Sequence, residues 1–199
     1  MTFIASTRRW TLLAFAALAL SGCGAMTAQN PSAGLSPVNA IAMDQSDRVM
    51  LFGADVVAYF TQNQYVQGQA DIRSTYKDVD FYFSNPAHKA LFDAEPEKYL
   101  PQYGGYCANG IMFGIPWGGN AQDFSVVDGK LYIFGGDVSK AAFELKLQES
   151  IQLADTYWQQ EVANSNSFIQ RTKRLVMRVP HYKTGEEQAA EVQAAKSGS

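Results

Sequence analysis

Two thiols are the residues of this chain best able to do chemistry, and their neighbours point each to a different kind. Cys23 closes Leu20-Ser21-Gly22-Cys23, after a basic start holding Arg8 and Arg9 and an apolar run from Trp10 to Leu20. That run is too short to span a bilayer as a mature helix. Basic, apolar and small residues in this order, ending on cysteine, form the processing pattern of a bacterial lipoprotein. The thiol accepts diacylglycerol, and cleavage leaves Cys23 as the new N-terminus. Residues 1–22 are then a removable address. The mature chain is held at the membrane by lipid, each buried acyl CH₂ contributing about 0.8 kcal/mol. Gly24 stands where an inner-membrane retention signal would place Asp, so the expected location is the outer membrane, facing the periplasm. An uncleaved N-terminal anchor or an ordinary signal peptide is the other reading of the same run.

With Cys23 acylated, Cys107 is the one thiol left, and it cannot close an intramolecular disulfide. In an oxidising compartment such a thiol is buried and inert, or a ligand, or reactive. It lies in the glycine-punctuated stretch from Gly104 to Gly119, which has no Gly-Lys-Ser/Thr ending and so is not a nucleotide phosphate cradle. Tyr106, Cys107, Met112, Phe113 and Trp117 are the expected lining of a ligand site with an apolar wall. No basic neighbour and no Cys-x-x-Cys partner favours a thiolate, and no carboxylate pair compels a hydrolase. Turnover is therefore not expected. The net charge of −3 becomes −5 once Arg8 and Arg9 leave with the signal, which argues against nucleic acid as a partner.

The elements that must position these residues follow from local patterns. Residues 23–43 have the Ala, Ser, Gly, Pro, Asn and Gln content of a flexible tether. Extended segments are expected around 48–52 and 56–60, then a hairpin of 72–76 with 79–83 across Lys77-Asp78. Ser84 or Asn85 can cap a helix that starts at Pro86 and runs to about Ala94. On it, His88 shares a face with Leu91, Phe92 and Glu95. A short turn carries Glu97 and Tyr99 between Pro96 and Pro101. Asp128-Gly129 fits the two-residue turn of a second hairpin, 124–127 with 130–134. Asp137 opens a long amphipathic helix to about Val162, with Phe143, Leu147, Ile151, Ala154, Trp158 and Val162 as its core stripe. Residues 164–184 form a basic amphipathic extension with apolar positions 168, 172 (Thr), 175, 176 and 179; contact with anionic lipid headgroups is one reading of it, and packing on the domain with a solvated charged face is the expected one. A disordered tail is expected over 185–199.

Several runs, in this order, carry a family likeness. They are Asp55-Val56-Val57-Ala58-Tyr59-Phe60, Phe81-Tyr82-Phe83-Ser84, Pro96-Glu97-Lys98-Tyr99, Gly104-Gly105-Tyr106-Cys107-Ala108 and Val127-Asp128-Gly129-Lys130-Leu131-Tyr132. Over roughly 48–160 the chain resembles the YHS domain family, in its exported bacterial branch. The resemblance implies a small α+β domain over 44–163 and implies little about activity. Metal-handling relatives carry a cysteine at the end of the first hairpin and another four residues on. This chain has Ser84 and His88 there, which removes the thiolate pair of a closed zinc or copper site. A residual soft site for copper or zinc can still be drawn from His88 and Cys107, with a methionine such as Met112. The alternative is a partly buried His88 that is satisfied locally.

The expected fold is thus α+β: a small antiparallel sheet built from hairpins, a short helix after the first hairpin and a long C-terminal amphipathic helix. The expected function is a lipid-anchored periplasmic binding module for a soft metal ion or small ligand, without turnover. Two alternatives stand beside it. One is a lipoprotein that docks an envelope protein through its glycine loop and residues 168–179. The other is a thiol-dependent enzyme using Cys107.

Overall fold

The computed structural model of the protein describes Leu35 and residues 37–198. The expected signal segment 1–22, the expected acyl acceptor Cys23 and most of the expected tether 23–43 lie outside the described residues. Helices and strands are mixed, and the fold is α+β. Strands β1 (Ala40–Met43) and β2 (Ser46–Met50) lead through a 3₁₀ turn at Leu51–Gly53 into α1 (Ala58–Thr61). The hairpin of β3 (Gln69–Tyr76) and β4 (Val79–Phe83) is followed by α2 (Pro86–Ala94), α3 (Pro96–Tyr99), a 3₁₀ turn at Gln102–Gly105 and α4 (Ala108–Ile111). A second hairpin, β5 (Asn120–Val127) and β6 (Lys130–Phe134), precedes α5 (Asp137–Glu144) and α6 (Leu147–Tyr157), which ends in a π turn at Trp158–Val162. Helices α7 (Ser167–Val176) and α8 (Gly185–Ser197) complete the described chain.

The first sheet has the order β1-β2-β4-β3, antiparallel except for the parallel β2/β4 contact, and β5 and β6 form a separate ribbon. Both hairpin turns expected from the sequence have left-handed backbone, at Lys77 and Asp78 and at Asp128 and Gly129, and Asp-Gly is the pair that suits it. Asn85 caps α2, its side chain accepting from the His88 N–H at 2.9 Å, with Pro86 in the first turn. One core cluster joins the first sheet to Phe92, Tyr99, Leu131 and Ile133. A second gathers Tyr106, Ile111, Phe134, Phe143, Ala154 and Val162, so the helical stripe read from the sequence is core.

Five expectations are corrected. Part of the expected tether is built into the body, beginning with Leu35, whose N–H donates to the Lys77 carbonyl at 3.3 Å. Val38 and Ala40 are fully buried, and Asn39 donates its side-chain N–H to the Gly105 carbonyl at 3.0 Å. Residues 58–61 are helical rather than extended. The Asp55 carboxylate accepts from the N–H of Val57 at 3.0 Å and of Ala58 at 3.3 Å, and this capping outweighs the β preference of the valines. The long helix is broken at Leu145-Lys146, where Lys146 leaves helical geometry (φ −135°, ψ 58°). The tail is α8, not disorder. Thr184 and Glu187 form a reciprocal capping box, and Gln188 and Val192 are buried. Finally, α7 turns its polar face inward. Of the apolar positions in the extension, Val179 is buried, whereas Phe168, Leu175 and Val176 are exposed. Among the described residues no helix is long and apolar enough to cross a membrane.

Candidate functional site

His88 reaches its position because Asn85 starts α2 at the end of β4, one turn before the imidazole. The ring is buried, with Nδ1 2.7 Å from Asp55 Oδ2. A carboxylate oxygen only accepts, so Nδ1 carries the proton and donates. The same Asp55 oxygen accepts from Ser84 Oγ at 2.6 Å and from the Ser84 N–H at 2.8 Å. With the two α1 amides on Oδ1, Asp55 receives five hydrogen bonds at a fully buried position. It ties together the start of α1, the end of β4 and the first turn of α2. The far nitrogen, Nε2, lies 3.4 Å from Thr61 Oγ1 and 3.4 Å from Gln62 Nε2. Every polar neighbour of this imidazole is a structural partner, which is the local satisfaction expected of a lone buried histidine.

Cys107 sits at the other hairpin. Its backbone bridges Ile133 on β6, its N–H donates to the Trp117 carbonyl at 2.9 Å, and its own carbonyl accepts from Gly110 and Ile111 at the start of α4. The side chain is 2% exposed, with Sγ 3.8 Å from Ser139 Oγ. Burial pushes the thiol up, against smaller opposing effects of hydrogen bonds from Gly110 and Gly135. The result is a neutral sulfur, not a thiolate nucleophile. Among the described residues, His88 bonds to Asp55, Ser84, Thr61 and Gln62, none of which lines the groove beside Cys107. The two residues of the expected metal pair thus have separate hydrogen-bond partners, and among the described residues no group of three or more His, Cys, Asp or Glu is arranged to hold a metal ion.

The five residues expected to line one ligand site are distributed over three places. Cys107 and Trp117 border a groove of about 420 Å³, completed by Gly135, Asp137 and Ser139 at the start of α5 and by Gln188 of α8. Met112 and Phe113 border a smaller neighbouring cavity of about 120 Å³, beside His181, Leu153 and Ser150. Asn109 and Gln188 line both spaces and partition them, with the Asn109 side-chain N–H donating to Gln188 Oε1 at 2.6 Å. Tyr106 lines neither. It is fully buried, its hydroxyl donating to the Val38 carbonyl at 3.1 Å.

Compared with protein-family models, with curated proteins and with solved structures, the chain finds no match in any of the three. The site is thus read from its own geometry. Sequence reasoning missed Asn109, Ser139, His181 and Gln188, which the fold brings to the groove and its neighbour from well-separated stretches. One signal for the last two was present. Thr184-Gly185-Glu186-Glu187 spells a capping box, which makes a helix of the tail and directs it back along α5.

Proposed function

We propose that the protein is a lipid-anchored envelope module of YHS type, facing the periplasm from the outer membrane, that binds a small ligand without turning it over. The binding site is the groove between Cys107, Trp117 and the first turn of α5, closed on one side by α8. Its volume of about 420 Å³ falls in the range of roughly 300–1,000 Å³ that small-molecule sites occupy. A neutral sulfur and an indole supply apolar contact. The backbone at Gly118, Gly135 and Gly136 supplies fixed polar groups beside them.

The observation that carries this reading is Cys107 at the floor of the groove, nearly fully buried and with its thiol pushed up by burial. Such a sulfur offers a soft contact surface to a ligand. The same observation weighs against the thiol-enzyme alternative, which needs a thiolate and an adjacent base. A site shared by His88 and Cys107 has no place in the proposal.

Native mass spectrometry of the protein extracted from membranes tests it. Wild type and His88→Ala should retain a small-molecule adduct that Ser139→Trp, which fills the groove, loses. A wild-type protein without an adduct, and without a shift in thermal midpoint on adding Cu(I) or Zn(II), would remove the binding reading.

A further inference from the structure

Helix α7 is mounted with its apolar side toward solvent. Asn166 caps it, accepting from Phe168 N–H at 3.0 Å and Ile169 N–H at 3.1 Å. Its buried side is polar. Gln170 donates to the Gly114 carbonyl at 2.9 Å, Arg171 Nε donates to the Pro116 carbonyl at 2.7 Å, and Arg174 pairs with Glu161. These bonds fix the rotation of the helix. Rolling α7 to bury its apolar residues would strip Arg174 from Glu161 and orphan the two carbonyls. Helical spacing then leaves Phe168, Ile169, Leu175 and Val176 on the outward side, with relative exposures of 50%, 65%, 65% and 82%. A contiguous apolar face held outward by buried polar contacts marks an interaction surface.

Charge and position say what covers it. From Ala163 to Gly185 the chain carries Arg171, Lys173, Arg174, Arg178 and Lys183 and no Asp or Glu, within a protein of net charge −3. Glu161 pairs with Lys173 and Arg174, and Glu191 of α8 pairs with Lys183, so the segment keeps a net positive charge. Arg171 and Arg174 face the body, but Lys173 and Arg178 are exposed on the same helix and its C-terminal exit. An apolar face with exposed cations beside it suits the boundary between anionic headgroups and acyl chains. Its place in the fold agrees. The ring of Tyr106 lies under the Arg171 guanidinium, 5.9 Å from its centroid, while the Tyr106 hydroxyl holds the Val38 carbonyl. One side chain thus joins α7 to the N-terminal segment three residues after Leu35, whose N–H donates to the Lys77 carbonyl at 3.3 Å. Residues 24–34 separate Leu35 from Cys23 and cannot reach further than about 40 Å.

We infer that α7 lies on the surface of an anionic phospholipid bilayer, its outward apolar face in the interface, as a second attachment beside the acyl anchor. The inference rests on the anchor reading for the nearness of the membrane. Its test does not need the anchor. Protein beginning at Gly24 lacks Cys23 and keeps every described element. It should float with vesicles of phosphatidylethanolamine and phosphatidylglycerol, float far less with phosphatidylcholine, and be released by about 0.5 M salt. Ile169→Ser with Val176→Ser should lower vesicle binding by about tenfold or more. The thermal midpoint should stay unchanged, because both side chains are solvated in the free protein.

Wild-type protein that fails to float overturns the inference, as does a double variant that floats as well as wild type. Sedimentation showing a wild-type dimer and a monomeric double variant also overturns it, by giving the face to a second copy. The mass of the full-length chain reports acylation separately. An unacylated chain would remove the anchor reading and leave the flotation result intact.

Discussion

His88 Nδ1 and Asp55 Oδ2 meet at 2.7 Å inside the body, where the carboxylate also receives Ser84 and the first amides of α1. The pair is a joint between α1, β4 and α2. Asp55→Ala strands those donors in the core and should cost about 3–5 kcal/mol, the usual cost of breaking a buried pair from one side. His88→Ala leaves Asp55 with four of its five hydrogen bonds and should cost less, about 1–3 kcal/mol. Urea unfolding of the two variants checks the order. A larger loss in His88→Ala would mean that the imidazole, not the carboxylate, is the anchor of the joint.

Cys107 should resist alkylation. At neutral pH, iodoacetamide should label it about a hundredfold or more slower than a free thiol, and at the free-thiol rate in denaturant. Intact mass over time reads both rates.

The same burial has a pH signature. The thiol is raised in the folded state, so its contribution to stability is fully present below the unfolded thiol value of about 8.5. That contribution declines as pH rises through the folded value. Cys107→Ala should flatten the fall in stability between about pH 8.5 and 10, before the tyrosines titrate. Denaturant midpoints of wild type and variant across that interval give the comparison.

Glu161 sets an acid limit on α7. Burial on its own would raise this carboxyl, but hydrogen bonds from Lys173 and Gln170 and the charge of Arg174 outweigh it and hold the group below the usual carboxylate range. A lowered folded value gives stability that is present above the unfolded value of about 4.3 and is lost as pH falls through the folded one. Amide exchange, corrected for intrinsic rates, should show α7 losing protection below about pH 4 while β4 and β6 keep theirs. Glu161→Gln should produce the same local opening at neutral pH.

Helix α8 closes the groove through its cap. Thr184→Ala removes the side-chain acceptor for the Glu187 N–H and should cost α8 about 1 kcal/mol. Cys107 should then be alkylated several-fold faster than in wild type, with global stability little changed. Equal labelling rates would mean that α8 does not gate the thiol.

The sequence by itself determined the elements whose signals are local. Asp128-Gly129 suits the positive φ of a two-residue turn, and the β-rich runs flanking it and Lys77-Asp78 need no distant partner to be recognised. Asn85 with Pro86, the α+β class and the core stripe from Phe143 to Val162 were legible for the same reason. Tertiary structure alone decided what depends on partners far along the chain. Asp55 turned a valine-rich run into helix through its own capping bonds, and a place to bury that charge had to come from Ser84 and His88. Glu161 reversed α7, because a buried arginine with its carboxylate is costlier to separate than an apolar face is to expose. His88, on α2 after the first hairpin, bonds to Asp55, whereas Cys107, before α4, bridges β6 of the second hairpin, so their hydrogen-bond partners differ. The groove exists because Gln188 returns to Asn109, a meeting of side chains that neither segment's own pattern encodes.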